Sequence, residues 1–155
     1  MAKIQLTVAG IYFSAEIEVA DELIAGGFTI LDLMRQARRQ TDLEYMLEEG
    51  DQPIAQRSMA IIQTTLPEGF VSRSGKIRQP GVYAIEERSG SEQTQAWQYY
   101  IERPNPAGST VAFELISRTV GTSFKAPGVS EPLQDGDKVL WRCVSILRSP
   151  TGTKI

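Results

Sequence analysis

"FTILDLMRQARRQ", residues 28–40, is the stretch on which the fold turns. Thr29 is placed to cap a helix, because its hydroxyl can accept from a backbone N–H that the first turn leaves unpaired. Asp32, three residues on, suits the positive end of the helix dipole. Ile30, Leu33, Met34 and Ala37 then recur at helical spacing, leaving Arg35, Arg38 and Arg39 mostly on other faces. A helix with one apolar stripe needs a second layer to bury it against.

Upstream, that layer begins. In "KIQLTV" (3–8) Ile4, Leu6 and Val8 share one side at period two, and in "FSAEIEV" (13–19) Phe13, Ala15, Ile17 and Val19 do the same. Ala9 and Gly10 follow the first run, and glycine supplies the positive φ of a tight hairpin. Downstream, "DLEYMLEEG" (42–50) reads as a continuation of the helix or a second short one, ending at Gly50. From there, turn residues divide "SMAIIQTTL", "GVYAIEER", "AWQYYIER", "TVAFELISRTV" and "KVLWRCVSIL", which read as four or five strands. "PEGFVSRSGKIRQPG" (67–81) and "SGSEQTQ" (89–95) read as loops, the first long enough to suggest function. The order ββα followed by strands predicts an α+β fold, one principal helix lying across a mixed sheet. With 155 residues and no shift in composition, a single domain is expected.

Composition narrows the chemistry. The chain is 41% hydrophobic and 23% charged, the balance of a globular protein, and carries a formal net charge of −3. An acidic total argues against a long polyanion, so no nucleic acid partner is expected. No apolar run approaches the roughly 18 to 20 residues that span a bilayer, and "MAKIQLTVAG" does not read as a signal peptide. One cysteine, Cys143, forms no internal disulfide or multi-thiolate site and suits a reducing, cytoplasmic setting. There is no histidine, which removes the commonest acid-base group, the usual triads and most transition-metal sites. "GSTVAF" (108–113) lacks the lysine and spacing of a phosphate cradle. The expectation is a protein that is not an enzyme, with no metal and no cofactor.

Asp135 and Asp137 flank Gly136 in "LQDGDKVLWRCVSI" (133–146) and read as the turn that starts a strand, since further oxygen ligands at metal-site spacing are missing. Cys143 reads as core, with no base beside it. In "WQYY", Trp97 and Tyr99 fall on one side of a strand and Tyr100 on the other, which makes Tyr100 a candidate contact if that face lacks a helix. The 67–81 loop places Phe70 and Val71 beside Arg73, Lys76 and Arg78, an aromatic and basic set of the kind that dominates interface energies. Phe70, Arg73, Lys76, Arg78 and Tyr100 are therefore the candidate binding residues.

The hairpin, the helix opened by Thr29, the strand with Trp97 and Tyr99, and the Gly136–Asp137 step before the last strand together resemble β-grasp domains related to the C-terminal domain of transcobalamin and intrinsic factor. The likeness covers about two thirds of the chain. Here prolines stand on either side of Asn105 where the family usually turns on asparagine-glycine, and residues 42–95 form a long insertion. The resemblance implies a single β-grasp domain over 1–155 and a non-enzymatic module that binds a small molecule or a protein partner. An accessory subunit of a larger assembly is the alternative.

Overall fold

The computed structural model describes residues 1–51, 53–54, 57–89, 93–104, 113–118 and 132–147. Strand β1 (Ala2–Val8) and strand β2 (Phe13–Val19) form an antiparallel hairpin in register from Ala2 opposite Val19 to Val8 opposite Phe13. The turn between them takes four residues, Ala9 to Tyr12, rather than closing on Ala9 and Gly10 alone. A short helix α1 (Asp21–Ala25), which the sequence reading passed over, precedes helix α2 (Ile30–Gln40).

α2 starts as its residues dictate. The Asp32 N–H donates to the Thr29 hydroxyl at 3.3 Å, and the Thr29 N–H donates back to the Asp32 carboxylate at 2.9 Å. Ile30, Leu31, Leu33, Met34 and Ala37 are all buried, so the apolar stripe lies against the core.

Residues 42–50 correct the helical expectation. Glu44–Leu47 is a strand, β3, whose pairing with β4 (Met59–Leu66) runs from Glu44 opposite Gln63 to Leu47 opposite Met59. β4 pairs in turn with β5 (Gly81–Glu86), so the expected insertion contains a three-stranded antiparallel sheet. The larger sheet continues with β6 (Arg88–Ser89), β7 (Gln93–Pro104), β8 (Phe113–Arg118) and β9 (Lys138–Leu147). Gln93 to Gln95, expected in a loop, are the first residues of β7. Its order is β2-β1-β9-β7-β6, with β8 also on β7; β1 and β9 run parallel and the other pairs antiparallel. The architecture is thus predominantly β, with mixed sheet and few helices.

One hydrophobic cluster joins the layers. Ile4, Leu6 and Val8 of β1, Trp97, Tyr99 and Ile101 of β7, and Val139 and Trp141 of β9 meet Leu33 and Met34 of α2 and Met59 and Ile62 of β4. Trp97 and Trp141 stand edge to face with ring centres 6.3 Å apart, and the Trp97 indole donates to the Ala60 carbonyl at 3.2 Å. That last bond ties the two sheets together. Cys143 is only half-buried at the margin of this cluster, not inside it as expected, and burial pushes its thiol pKa up.

Free strand edges invite pairing with other chains, and α2 guards two of them. At β2, Gln40 Nε2 donates to the Glu18 carbonyl at 2.7 Å and the Glu18 N–H donates to Gln40 Oε1 at 3.1 Å, so a side-chain amide stands in for a neighbouring strand. At β3, Arg38 donates to the Tyr45 carbonyl at 2.9 Å and lays its guanidinium 3.8 Å from the Tyr45 ring centre.

Candidate functional site

The tip of the first hairpin meets the segment expected to be a loop. Residues 67–81 are not plain loop: Val71 and Ile77 form an antiparallel bridge, the Ser72 N–H donates to the Lys76 carbonyl at 2.8 Å, and the Arg78 N–H donates to the Phe70 carbonyl at 2.9 Å. A turn closed by the Gly75 N–H donating to Ser72 O at 2.8 Å completes a miniature hairpin. The segment from Phe70 to Arg73 forms one wall of a groove of about 420 Å³, and the β1–β2 end, from Thr7 to Ser14, forms the other. Val8, Ala9, Phe13, Phe70 and Val71 make the lining largely apolar, with Arg73 as its cation.

Two features build this groove. Gly10 has φ +92° and packs directly on Ile85 of β5, which seats the turn on the smaller sheet. Tyr12 has φ 60°, a left-handed conformation uncommon for an aromatic residue. Its ring is held from two sides: Arg78 lies 4.7 Å from its centre, and Tyr83 meets it edge-on at 5.5 Å. Backbone strain of this kind persists only where the surroundings enforce it. Tyr83 is fixed in turn, its hydroxyl donating to the Gln79 carbonyl at 2.8 Å.

Of the candidate residues, the structure brings Phe70 and Arg73 to the groove and puts Arg78 behind it against Tyr12. Arg78 is half-buried, with its Nε shielded from solvent and without an acceptor among the described residues, so it belongs to the support of the site and not to its solvated rim. Lys76 is exposed on the far strand of the miniature hairpin. Tyr100 lies elsewhere. Register across the large sheet aligns Ser14, Thr7, Leu140 and Tyr100 in one row, which sets Tyr100 two strands, or about 10 Å, from the groove wall at Thr7. Tyr100 is half-buried, and its hydroxyl donates to Gln98 at 3.2 Å. Tyr12 is the residue the sequence reading missed. Its position in a hairpin turn beside Gly10 was the available signal.

The two aspartates separate into different roles. Asp135 is exposed and accepts from the Lys3 N–H at 2.8 Å, as a turn residue should. Asp137 is fully buried, which the turn reading did not foresee. Its carboxylate accepts from Arg103 at 2.9 and 3.1 Å and from the Gln134 N–H at 2.8 Å. Arg103 also reaches the Pro132 carbonyl at 3.2 Å, so the pair fastens the segment entering β9 to β7. Gly136, at φ +87°, turns the chain between the two acids and donates to the Lys3 carbonyl at 2.9 Å. Among the described residues no group of three or more metal-ligating side chains occurs, and no helix is long and apolar enough to cross a membrane. Comparison with protein-family models, with curated proteins and with solved structures finds no match.

Proposed function

We propose that the chain is a non-enzymatic binding module of β-grasp type that takes a small ligand or a segment of a protein partner in the groove between the β1–β2 turn and the Phe70–Arg78 hairpin. The β-grasp assignment is supported by the strand order β2-β1-β9-β7 with β1 and β9 parallel, and by α2 following the first hairpin. The observation that carries the function is the groove itself, apolar in lining, with Arg73 at its wall and a strained Tyr12 clamped beside it. Concave apolar sites with a few placed polar groups are the usual form of a ligand site. The absence of histidine from the sequence supports a role without catalysis.

Service as an accessory subunit of a larger assembly has its own support in the smaller sheet, where Met46 and Val82 are each 63% exposed. Affinity purification at native expression, followed by mass spectrometry of both proteins and small molecules, distinguishes the two. A species retained by the wild-type chain and lost from Arg73→Ser supports the groove. Retention by Arg73→Ser with loss from Met46→Ser/Val82→Ser assigns the contact to the smaller sheet instead.

A further inference from the structure

The miniature hairpin leaves an edge open, unlike the edges of β2 and β3 that α2 guards. In an antiparallel pair, hydrogen-bonded and non-bonded positions alternate. Phe70 and Ser72 make the bonds to Arg78 and Lys76, so Val71 is a non-bonded position and turns its own N–H and C=O away from the partner strand. Neither group has a partner among the described residues. The groove lies along this strand, and the side chains around it have matching character. Val71 is 56% exposed and Ile77, its cross-strand neighbour, 74% exposed. Arg73 lies within the Ser72–Gly75 turn and Lys76 just after it, and neither makes an ion pair within 4.0 Å among the described residues.

An unpaired strand edge recognises extended backbone, an exposed β-branched pair recognises apolar side chains, and two unneutralised cations recognise carboxylates. On the reading that this groove is the binding site, we propose that its occupant is an extended segment of a protein partner with alternating apolar and acidic residues. The segment pairs its backbone with Val71, lays apolar side chains on the face that Val71 shares with Ile77, and sets its alternate carboxylates on Arg73 and Lys76. A compact anion satisfies Arg73 alone and leaves the backbone edge and the apolar pair unused, which is why the geometry favours a peptide.

The test is binding of a fluorescein-labelled peptide of alternating glutamate and valine, followed by anisotropy, beside an alternating lysine-valine peptide of the same length. Val71→Pro removes one amide donor while sparing the Ser72 and Arg78 N–H groups that hold the hairpin, and Arg73→Ser/Lys76→Ser removes the charge. Each is expected to weaken the glutamate peptide about tenfold, with the wild-type affinity falling as salt rises. As a check that does not alter the protein, a glutamate-valine peptide with alternate amides replaced by esters keeps its side chains, loses donors, and is expected to bind more weakly. Equal binding of the lysine and glutamate peptides, or equal binding of the ester and amide forms, overturns the proposal. So does association with phosphatidylserine-containing vesicles but with neither peptide, which assigns the basic apolar tip to a lipid surface. If neither peptide binds while a small molecule co-purifies with the wild type and not with Arg73→Ser, the peptide is wrong and the groove stands. If Arg73→Ser retains every species, both readings fall.

Discussion

A methyl group added at Gly10 falls 2.5 Å from Cδ1 of Ile85, so the tip of the first hairpin seats closely on the smaller sheet, where Tyr12 also meets Tyr83. That seating fixes the distance between the two walls on which the groove depends. Gly10→Ala should therefore destabilise the fold by about 1 to 3 kcal/mol, part from the positive φ and part from the collision. Only the second part involves Ile85, and Ile85→Val deletes the atom in the way. In a double-mutant cycle by urea denaturation, Gly10→Ala should cost less in the Ile85→Val background. Strict additivity would place the cost in the backbone alone.

The buried carboxylate separates the two aspartates of the 135–137 turn. Asp137→Asn leaves Arg103 half-buried beside a neutral amide and should cost about 3 kcal/mol, as expected for breaking a buried pair. Asp135→Asn keeps an oxygen for the Lys3 N–H in an exposed position and should cost less than about 1 kcal/mol. Equal losses in chemical denaturation would show that Asp137 acts only as a turn residue.

Gln40 closes the β2 edge by mimicking a strand, and its contribution is to specificity more than to stability. Gln40→Ala should expose the Glu18 backbone groups and raise self-association with concentration in sedimentation velocity, beyond any shown by the wild type. An unchanged concentration dependence would show that the edge is protected by other means.

Cys143 offers a pH test. Burial raises its thiol pKa above the ordinary 9.0, so in the folded chain the thiol keeps its proton to higher pH than in the unfolded chain. Stability from this group is complete below pH 9 and declines as pH rises through the folded value, since the unfolded state then binds fewer protons. Alkylation of the native protein at pH 8 should be slower than in urea. A native rate equal to the denatured one would show the thiol to be fully solvated.

What was legible in the sequence was what local spacing determines. α2 was readable because Thr29 and Asp32 cap it within one turn and its buried positions recur at helical spacing. β3 was not, because only Tyr45 is buried in "EYML" and the acidic residues around it resemble a helix surface. Its strand conformation comes from pairing with β4, a tertiary effect that overrides propensity. The same holds for the site. Phe70, Arg73 and Arg78 are neighbours in sequence and could be read together, whereas Tyr12 joins them only when the first hairpin folds back on the smaller sheet. Arg103 and Asp137 were likewise hidden, since nothing in either local stretch reveals that β7 and the entry to β9 lie side by side.

Binding in the groove between the β1–β2 turn and the Phe70–Arg78 hairpin is what we propose for this chain. Its most direct test is backbone hydrogen exchange by mass spectrometry, comparing the chain with its co-purifying species bound and after that species is removed. Slowed exchange in residues 9–14 and 70–73 on binding, with Gln98 to Glu102 unchanged, is the predicted result. Protection confined to the β7 face around Tyr100, with the groove exchanging as fast as before, would contradict it.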